Sequence, residues 1–236
     1  RLTKRLVSLD TYRGIIMICL ISVGFGFSAF EGHPWLGFTA SQIEHVKWEG
    51  LVFWDLIQPA FMFMVGMAMP FAYNKRKSLG MSHSRIFGHV AYRALMLIVI
   101  ANVIGTIHRG EPGLSFINVL NQIAIGYVLA FLVINRGYLG QGLAAVGILA
   151  AYTLAWVLYP GNGPDGPWAM SYRNLGGDFD MWLLGKHYGG YYVGLNAIPA
   201  TATIIFGMMA GRLVGSGRSK KKVMQLLGAA GIAGIA

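Results

Sequence analysis

A single cysteine, Cys19, in 236 residues excludes a disulfide framework and a cysteine-ligated metal site within the chain. Charge is scarce too. Only 12% of the residues are charged and only 9 are acidic, whereas 55% are hydrophobic and the mean hydropathy is +0.55, which excludes an ordinary water-soluble enzyme. A phosphate-binding loop and a recognisable Ser-His-Asp setting are both missing. Gly24-Phe-Gly26 lies inside an apolar run with no strand before it, so it is no dinucleotide fingerprint. His83 and His89 lack the one-face spacing of two metal ligands on a helix, and no metal is expected. No internal repeat shows, which speaks against a transporter built from paired broken helices.

Long apolar runs are what the chain has instead. A membrane-spanning helix needs about 20 predominantly apolar residues. Such stretches occupy 14–30, 51–73, 86–107, 116–134, 139–159 and 196–214. A further one begins near Val223 and runs to Ala236. The expected fold is an all-α polytopic helix bundle with six full spans and the start of a seventh, forming one transmembrane domain over 1–236. Because the chain opens at Arg1 without an initiator Met and its last apolar run stops at Ala236, too short to cross a bilayer, it reads as a longer protein that has lost both ends, the N-terminal part of a longer fold. A cleavable signal peptide is the competing reading of 1–30; the polar Ser8–Arg13 stretch and the lack of a small-x-small site argue against it.

Orientation follows from the 19 basic residues. Arg1, Lys4, Arg5, Arg13, Lys75, Arg76, Lys77, Arg85, Arg136, Arg212, Arg218 and Lys220–Lys222 fall on one side, and Lys47, Arg109, Arg173 and Lys186 on the other. Such asymmetry places the N-terminus in the cytoplasm. A net charge of +10 in so apolar a chain reflects membrane loops, and no nucleic-acid partner is expected. Within the second apolar run, Pro59 and Pro70 are expected to kink the helix, and Met62, Met64, Met67 and Met69 to serve as packing. Gly207, Gly211 and Gly215 recur every four residues, permitting close helix contact. The segment 160–195, rich in Gly, Pro, Trp and Tyr, reads as an extracytoplasmic cap loop.

Polar groups at membrane depth mark function, because they are costly unless paired or wet. The outer cluster holds Glu44, His45, Glu49, Asp55, Gln58, Asn118, Asn121, Gln122 and Asn196. Asn118, Asn121 and Gln122 share one helix face, as do Asp55 and Gln58. An imidazole beside a carboxylate makes a general base, which singles out His45 with Asp55, although spacing alone does not show that they touch. The inner cluster holds Asp10, Arg13, His89 and Arg93, with Lys75 and Arg76 nearby. Arg93, two turns into an apolar run, together with Arg13, His89 and Arg76, suits a cytosolic phosphate site; attraction to membrane lipids is the alternative for the loop cations.

Leu6-Val-Ser-Leu-Asp-Thr-Tyr-Arg-Gly14, His45-Val-Lys-Trp-Glu-Gly50 and Asp55-Leu-Ile-Gln-Pro-Ala-Phe-Met-Phe-Met-Val-Gly66 resemble the heparan-alpha-glucosaminide N-acetyltransferase family of multi-pass membrane acyltransferases. Ala91-Tyr-Arg93, Asn118-Val-Leu-Asn-Gln-Ile-Ala-Ile-Gly-Tyr127, Phe179-Asp-Met-Trp-Leu-Leu-Gly185 and Asn196-Ala-Ile-Pro-Ala200 are similar to its later motifs in the same order. The chain departs from the family in carrying Ser22-Val-Gly24 where an Asn is common, in carrying Gln122 where an Arg is expected, and in lacking the last several helices.

The resemblance implies transfer of an acetyl group from cytosolic acetyl-CoA, as donor substrate, to an amino or hydroxyl group of a sugar or glycan acceptor across the membrane. It maps the family's catalytic histidine onto His45 and its first- and third-helix arginines onto Arg13 and Arg93. On this reading Asp55 orients His45, Asn121 or Gln122 stabilises the oxyanion, Asn196 faces the acceptor, and Arg93, Arg13, His89 and Arg76 hold the CoA. His45 acts either as a base for direct attack or as the group first acylated. The expected location is a bacterial inner (plasma) membrane, with a homodimer or a larger membrane complex as possible assemblies. A non-catalytic acyltransferase-like subunit of such a complex is the alternative function.

Overall fold

The computed structural model describes residues 7–22, 24–46 and 48–234. Arg1, Lys4, Arg5, Leu6, Val23, Lys47 and Ala236 lie outside the described residues. Every regular element among the described residues is helical: α1 (Val7–Ile21), α2 (Gly37–Ser41), α3 (Ile57–Ser78), α4 (His83–Arg109), α5 (Val119–Leu132), α6 (Tyr138–Val157), α7 (Leu175–Leu184), α8 (Ala197–Val214) and α9 (Lys220–Ala233), with short 3-10 turns between several of them.

Four helical stretches are long and apolar enough to cross a membrane: Phe53–Ser78, His83–Arg109, Tyr138–Val157 and Gly189–Val214. Their outward faces are lipid-like. Leu95, Val99, Ile100, Val103, Ile104 and Ile107 on α4, and Leu139, Leu143, Val146 and Leu149 on α6, are all exposed, an apolar belt that water would not tolerate but acyl chains would.

Two of the six expected spans have a different form. The first ends after 15 residues at Ile21, and Phe25 (φ 60°) and Gly26 (φ 71°) then keep the following stretch from continuing as α-helix. In the fourth, α5 has 14 residues and starts at Val119, where the Asn118 side chain accepts from Asn121 N at 2.9 Å and caps it. Residues 112–117 before it have no regular structure. At 1.5 Å per residue α5 is about 21 Å long, less than the roughly 30 Å of a hydrocarbon core. Its sides are nonetheless buried: Ile123, Ala124, Gly126, Tyr127, Ala130 and Phe131 all face protein.

α8 is the axis of the bundle. Ile204, Ile205 and Met208 are fully buried, and α3, α5 and α6 pack around them. Where α3 meets α8 there is no room for side chains. A Cβ on Gly66 would stand 2.0 Å from Ile204 O, one on Gly207 2.0 Å from Phe63 O, and one on Gly211 2.3 Å from Met67 O. The glycines therefore let two backbones touch, the small-residue mode of membrane helix packing. A Cβ on Gly215, the third of the series, would meet no α3 backbone, only the Phe71 ring at 3.2 Å and Gly211 O of its own helix at 3.4 Å. Pro59 falls in the first turn of α3, where backbone N–H groups have no helical partner, so it breaks no bond there. α3 continues through Pro70, which is buried.

The 160–195 segment packs on the loop that carries His45. Trp156 Nε1 donates to Pro167 O at 2.7 Å, and the Trp156 and Trp168 rings stack at 6.2 Å. Trp48 Nε1 donates to Trp168 O at 3.0 Å while its ring meets Tyr191 edge-on at 6.0 Å. Tyr172 stacks on His187 at 4.4 Å. Buried Asp180 on α7 accepts from Gly194 N through both oxygens, at 3.2 and 3.0 Å, tying α7 to the turn that starts the α8 stretch.

Candidate active site

The His45 loop is closed by backbone and amide bonds before any chemistry is considered. Trp54 N donates to Gln42 O at 3.0 Å and Phe53 N to Gln42 Oε1 at 3.2 Å, folding the chain back on itself across the loop. Gly50, at φ +120°, takes a conformation that a side chain would resist. This closure brings His45 Nδ1 to 2.5 Å from Asp55 Oδ1, although the two residues are ten apart in sequence. Asp55 Oδ2 accepts from Val52 N at 3.2 Å, so the carboxylate is anchored to its own turn by one oxygen and offers the other to the ring. An Nδ1–H donating to Asp55 leaves the lone pair on Nε2. The imidazole is 56% exposed and its carboxylate 21%, so Nε2 is accessible while the orienting group is sheltered. The Trp54 ring braces the imidazole edge-on at 6.5 Å.

Beneath His45 lies a cavity of about 400 Å³, walled by α1, α3 and α5 through Met17, Trp54, Ile57, Phe61, Val119, Leu120 and Ile123. Its polar walls are His45 and Gln58. Gln58 Nε2 donates to Gln122 Oε1, and Gln122 Nε2 donates to Ile117 O at 3.1 Å. Gln122 thus stands behind Gln58 rather than on the cavity wall.

The remaining outer candidates lie elsewhere. Asn121 is fully buried, its Nδ2 donating to Ser115 O and its Oδ1 without a partner among the described residues. Asn196 is exposed and accepts from Tyr152 OH at 2.9 Å. Neither lines the His45 cavity.

A second, smaller cavity of about 70 Å³ lies further along the same three helices and α4, between Arg13, Arg93, Phe61 and Tyr127. The structure thus brings together two guanidinium groups eighty residues apart in sequence. The Arg93 guanidinium sits 5.4 Å over the Tyr127 ring, a cation–π contact that fixes its direction. His89 and Arg76 are not on this wall. Among the described residues no group of three or more His, Cys, Asp or Glu side chains is placed to hold a metal.

Gln58 and Phe61 carry more of the site than the sequence assigned them. The signal for Gln58 was its position one turn after Asp55 on the same face; Phe61, an aromatic residue in an apolar run, gave none. In the cap, burial raises the Asp180 carboxyl above its ordinary range, with the Gly194 N–H opposing.

The family described as heparan-alpha-glucosaminide N-acetyltransferase, catalytic, matches residues 5–233. Heparan-alpha-glucosaminide N-acetyltransferase of Homo sapiens is 33% identical over 103 residues, 44% of this chain and 14% of that protein. The protein of that name from Mus musculus is 28% identical over 101 residues, 43% of this chain and again 14% of its own length. The aligned part thus spans about a seventh of these curated relatives.

Proposed function

The chain belongs to the heparan-alpha-glucosaminide N-acetyltransferase catalytic family, and from that premise we propose that it is an integral membrane acetyltransferase that moves an acetyl group from acetyl-CoA to an amino or hydroxyl group of a sugar. The His45–Asp55 contact above an apolar cavity carries this reading. His45 Nε2 takes the proton from the acceptor as its nitrogen or oxygen attacks the thioester carbonyl. Asp55 holds the tautomer and offsets the charge that forms on the ring. The thioester oxygen becomes an oxyanion, whose collapse breaks the C–S bond, leaves the acetyl group on the acceptor and expels the CoA thiolate, which takes the proton that His45 Nε2 accepted. Gln58 Nε2, on the cavity wall with one hydrogen bound to Gln122, has a second hydrogen to give the oxyanion. Asn121 and Gln122 act behind the wall, one supporting the 112–117 turn and the other positioning Gln58.

Arg13 and Arg93 are assigned to the donor. Two guanidiniums around a narrow cavity suit phosphate oxygens or the amide-bearing arm of CoA rather than its adenine, which 70 Å³ does not hold. His89 and Arg76 lie outside that cavity and serve the entrance or the lipid headgroups. The basic residues Lys75, Arg76, Lys77, Arg85, Arg136 and Arg212 fall at the ends of α3, α4, α5 and α8 remote from His45, which supports a cytoplasmic N-terminus and donor side, with the acceptor on the other face. On this topology 160–195 is an extracytoplasmic cap and Asn196 a residue at its edge. The location is a plasma membrane, the inner one if the source is bacterial.

The test is calorimetric binding of acetyl-CoA to the detergent-purified chain, followed by thiol-detected CoA release with glucosamine as acceptor. His45→Ala is expected to bind acetyl-CoA and to lose about 10²–10⁴-fold in turnover, whereas Arg93→Ala weakens binding. Wild-type turnover by His45→Ala overturns the assignment.

A further inference from the structure

The His45 cavity and the Arg13/Arg93 cavity share one wall residue, Phe61. The helices around them supply matched pairs. On α1, Met17 lines the first cavity and Arg13, one turn away, the second; on α5, Ile123 and Tyr127 do the same. Four residues along a helix advance about 6 Å, so the two chambers are offset by about one helical turn along α1 and α5. On α3 no such pair exists at the junction. Gln58 lies on one side, Val65 on the other, and Phe61 on both. Its ring is half-buried and packs against both apolar clusters, the one centred on α8 and the one joining α1 to α3.

We propose that Phe61 is the partition between the two chambers: its ring closes the passage to water and yields to the thioester-bearing arm of the donor, aligning the acyl carbon with His45. The inference rests on the acetyl-transfer reading for the identity of what passes, but the partition itself is a property of the fold. An aromatic ring turning about χ1 between staggered positions is a two-state element of the right size for such a closure. Both chambers flank it with space, about 400 and 70 Å³, so the ring has somewhere to go. Phe61 shares a wall with His45 in one chamber and with Arg13 and Arg93 in the other, and its role is positioning and exclusion.

Three variants of the full chain in nanodiscs or vesicles test it. Phe61→Trp enlarges the plug and is expected to lower kcat by about tenfold or more through misplacement of the reacting carbon, with CoA affinity held. Phe61→Ala opens the plug and is expected to raise acceptor-independent hydrolysis, in which water attacks the thioester carbonyl to give acetate and the free CoA thiol. Phe61→Cys in a Cys19→Ser background is expected to react with a membrane-impermeant methanethiosulfonate added to either face of sealed vesicles. Ile104→Cys, on the lipid-facing side of α4, should react from neither. Wild-type turnover and hydrolysis in both Phe61→Trp and Phe61→Ala, or labelling of Phe61→Cys from one face or none, overturns the proposal. Labelling from both faces in a chain that binds no acetyl-CoA sustains the partition and overturns the transfer reading instead.

Discussion

Asp55→Asn separates what the His45–Asp55 contact does from what the loop does. The substitution keeps the size of the side chain and an oxygen that can still accept from Val52 N, so the 3-10 turn before α3 is retained. What changes is the group facing Nδ1 across 2.5 Å. An amide turned with its NH2 toward the ring donates to Nδ1 and drives the proton to Nε2, the nitrogen that must be free to accept one. A hydrogen bond to a charged group contributes about 1.5–3 kcal/mol. The imidazole is more than half exposed, so water competes and the lower half of that range applies. At about 1.4 kcal/mol per factor of ten, the expected loss in kcat is roughly 10- to 40-fold. The KM for acetyl-CoA should be unchanged, because Asp55 does not line the cavity that holds Arg13 and Arg93. Steady-state CoA release in detergent, with acetyl-CoA and glucosamine varied in turn, reads both quantities. Wild-type kcat in Asp55→Asn, or a loss expressed wholly in the acetyl-CoA KM, refutes the assignment of Asp55 as the group that orients His45.

Gly207→Ala places a methyl group 2.0 Å from the Phe63 carbonyl and forces α3 from α8; about 1–3 kcal/mol of destabilisation is expected, seen as a fall in thermal unfolding midpoint in detergent. Gly142→Ala on α6, with open space around its Cβ, is the matched control and should be neutral or stabilising by up to about 1 kcal/mol. In the cap, the raised Asp180 carboxyl means that the folded state holds its proton more tightly than the unfolded chain. Its contribution to stability is therefore greatest at low pH and falls as pH rises from the ordinary carboxylate range through the folded value. Asp180→Asn should remove that fall from the midpoint-against-pH curve while keeping an acceptor for Gly194 N, and an unchanged curve would show that Asp180 titrates normally.

Much of the bundle was legible because lipid and core impose the same demand on sequence, a long apolar run. The stretches at 51–73, 86–107, 139–159 and 196–214 correspond to α3, α4, α6 and α8, and Gly207 and Gly211 announced a close helix contact whose partner, α3, could not be named. The departure from helix after α1 was only partly written locally: Gly26 accepts a positive φ at no steric cost, but its neighbour Phe25 also takes one, which its residue type does not announce, and hydropathy averages over both. α5 reads as a span by composition, yet Asn118 caps it late and leaves 112–117 unwound. Side-chain periodicity put Asn121 and Gln122 on one face correctly; their separate engagements with Ser115 and Ile117, which take both off the cavity wall, follow from how the preceding segment folds back.

By itself the sequence determined that the regular structure is helical and dominated by long apolar runs, where its cations concentrate, and which residue types capable of proton transfer and anion binding it carries, because these are set by composition and by the 3.6-residue period. Only the tertiary structure decided that His45 meets Asp55, that Arg13 and Arg93 line one cavity, and that Phe61 lines both chambers. Those are contacts between elements far apart in the chain, fixed by backbone closure at Gln42 and by glycine-mediated packing of α3 on α8, and no local spacing encodes them.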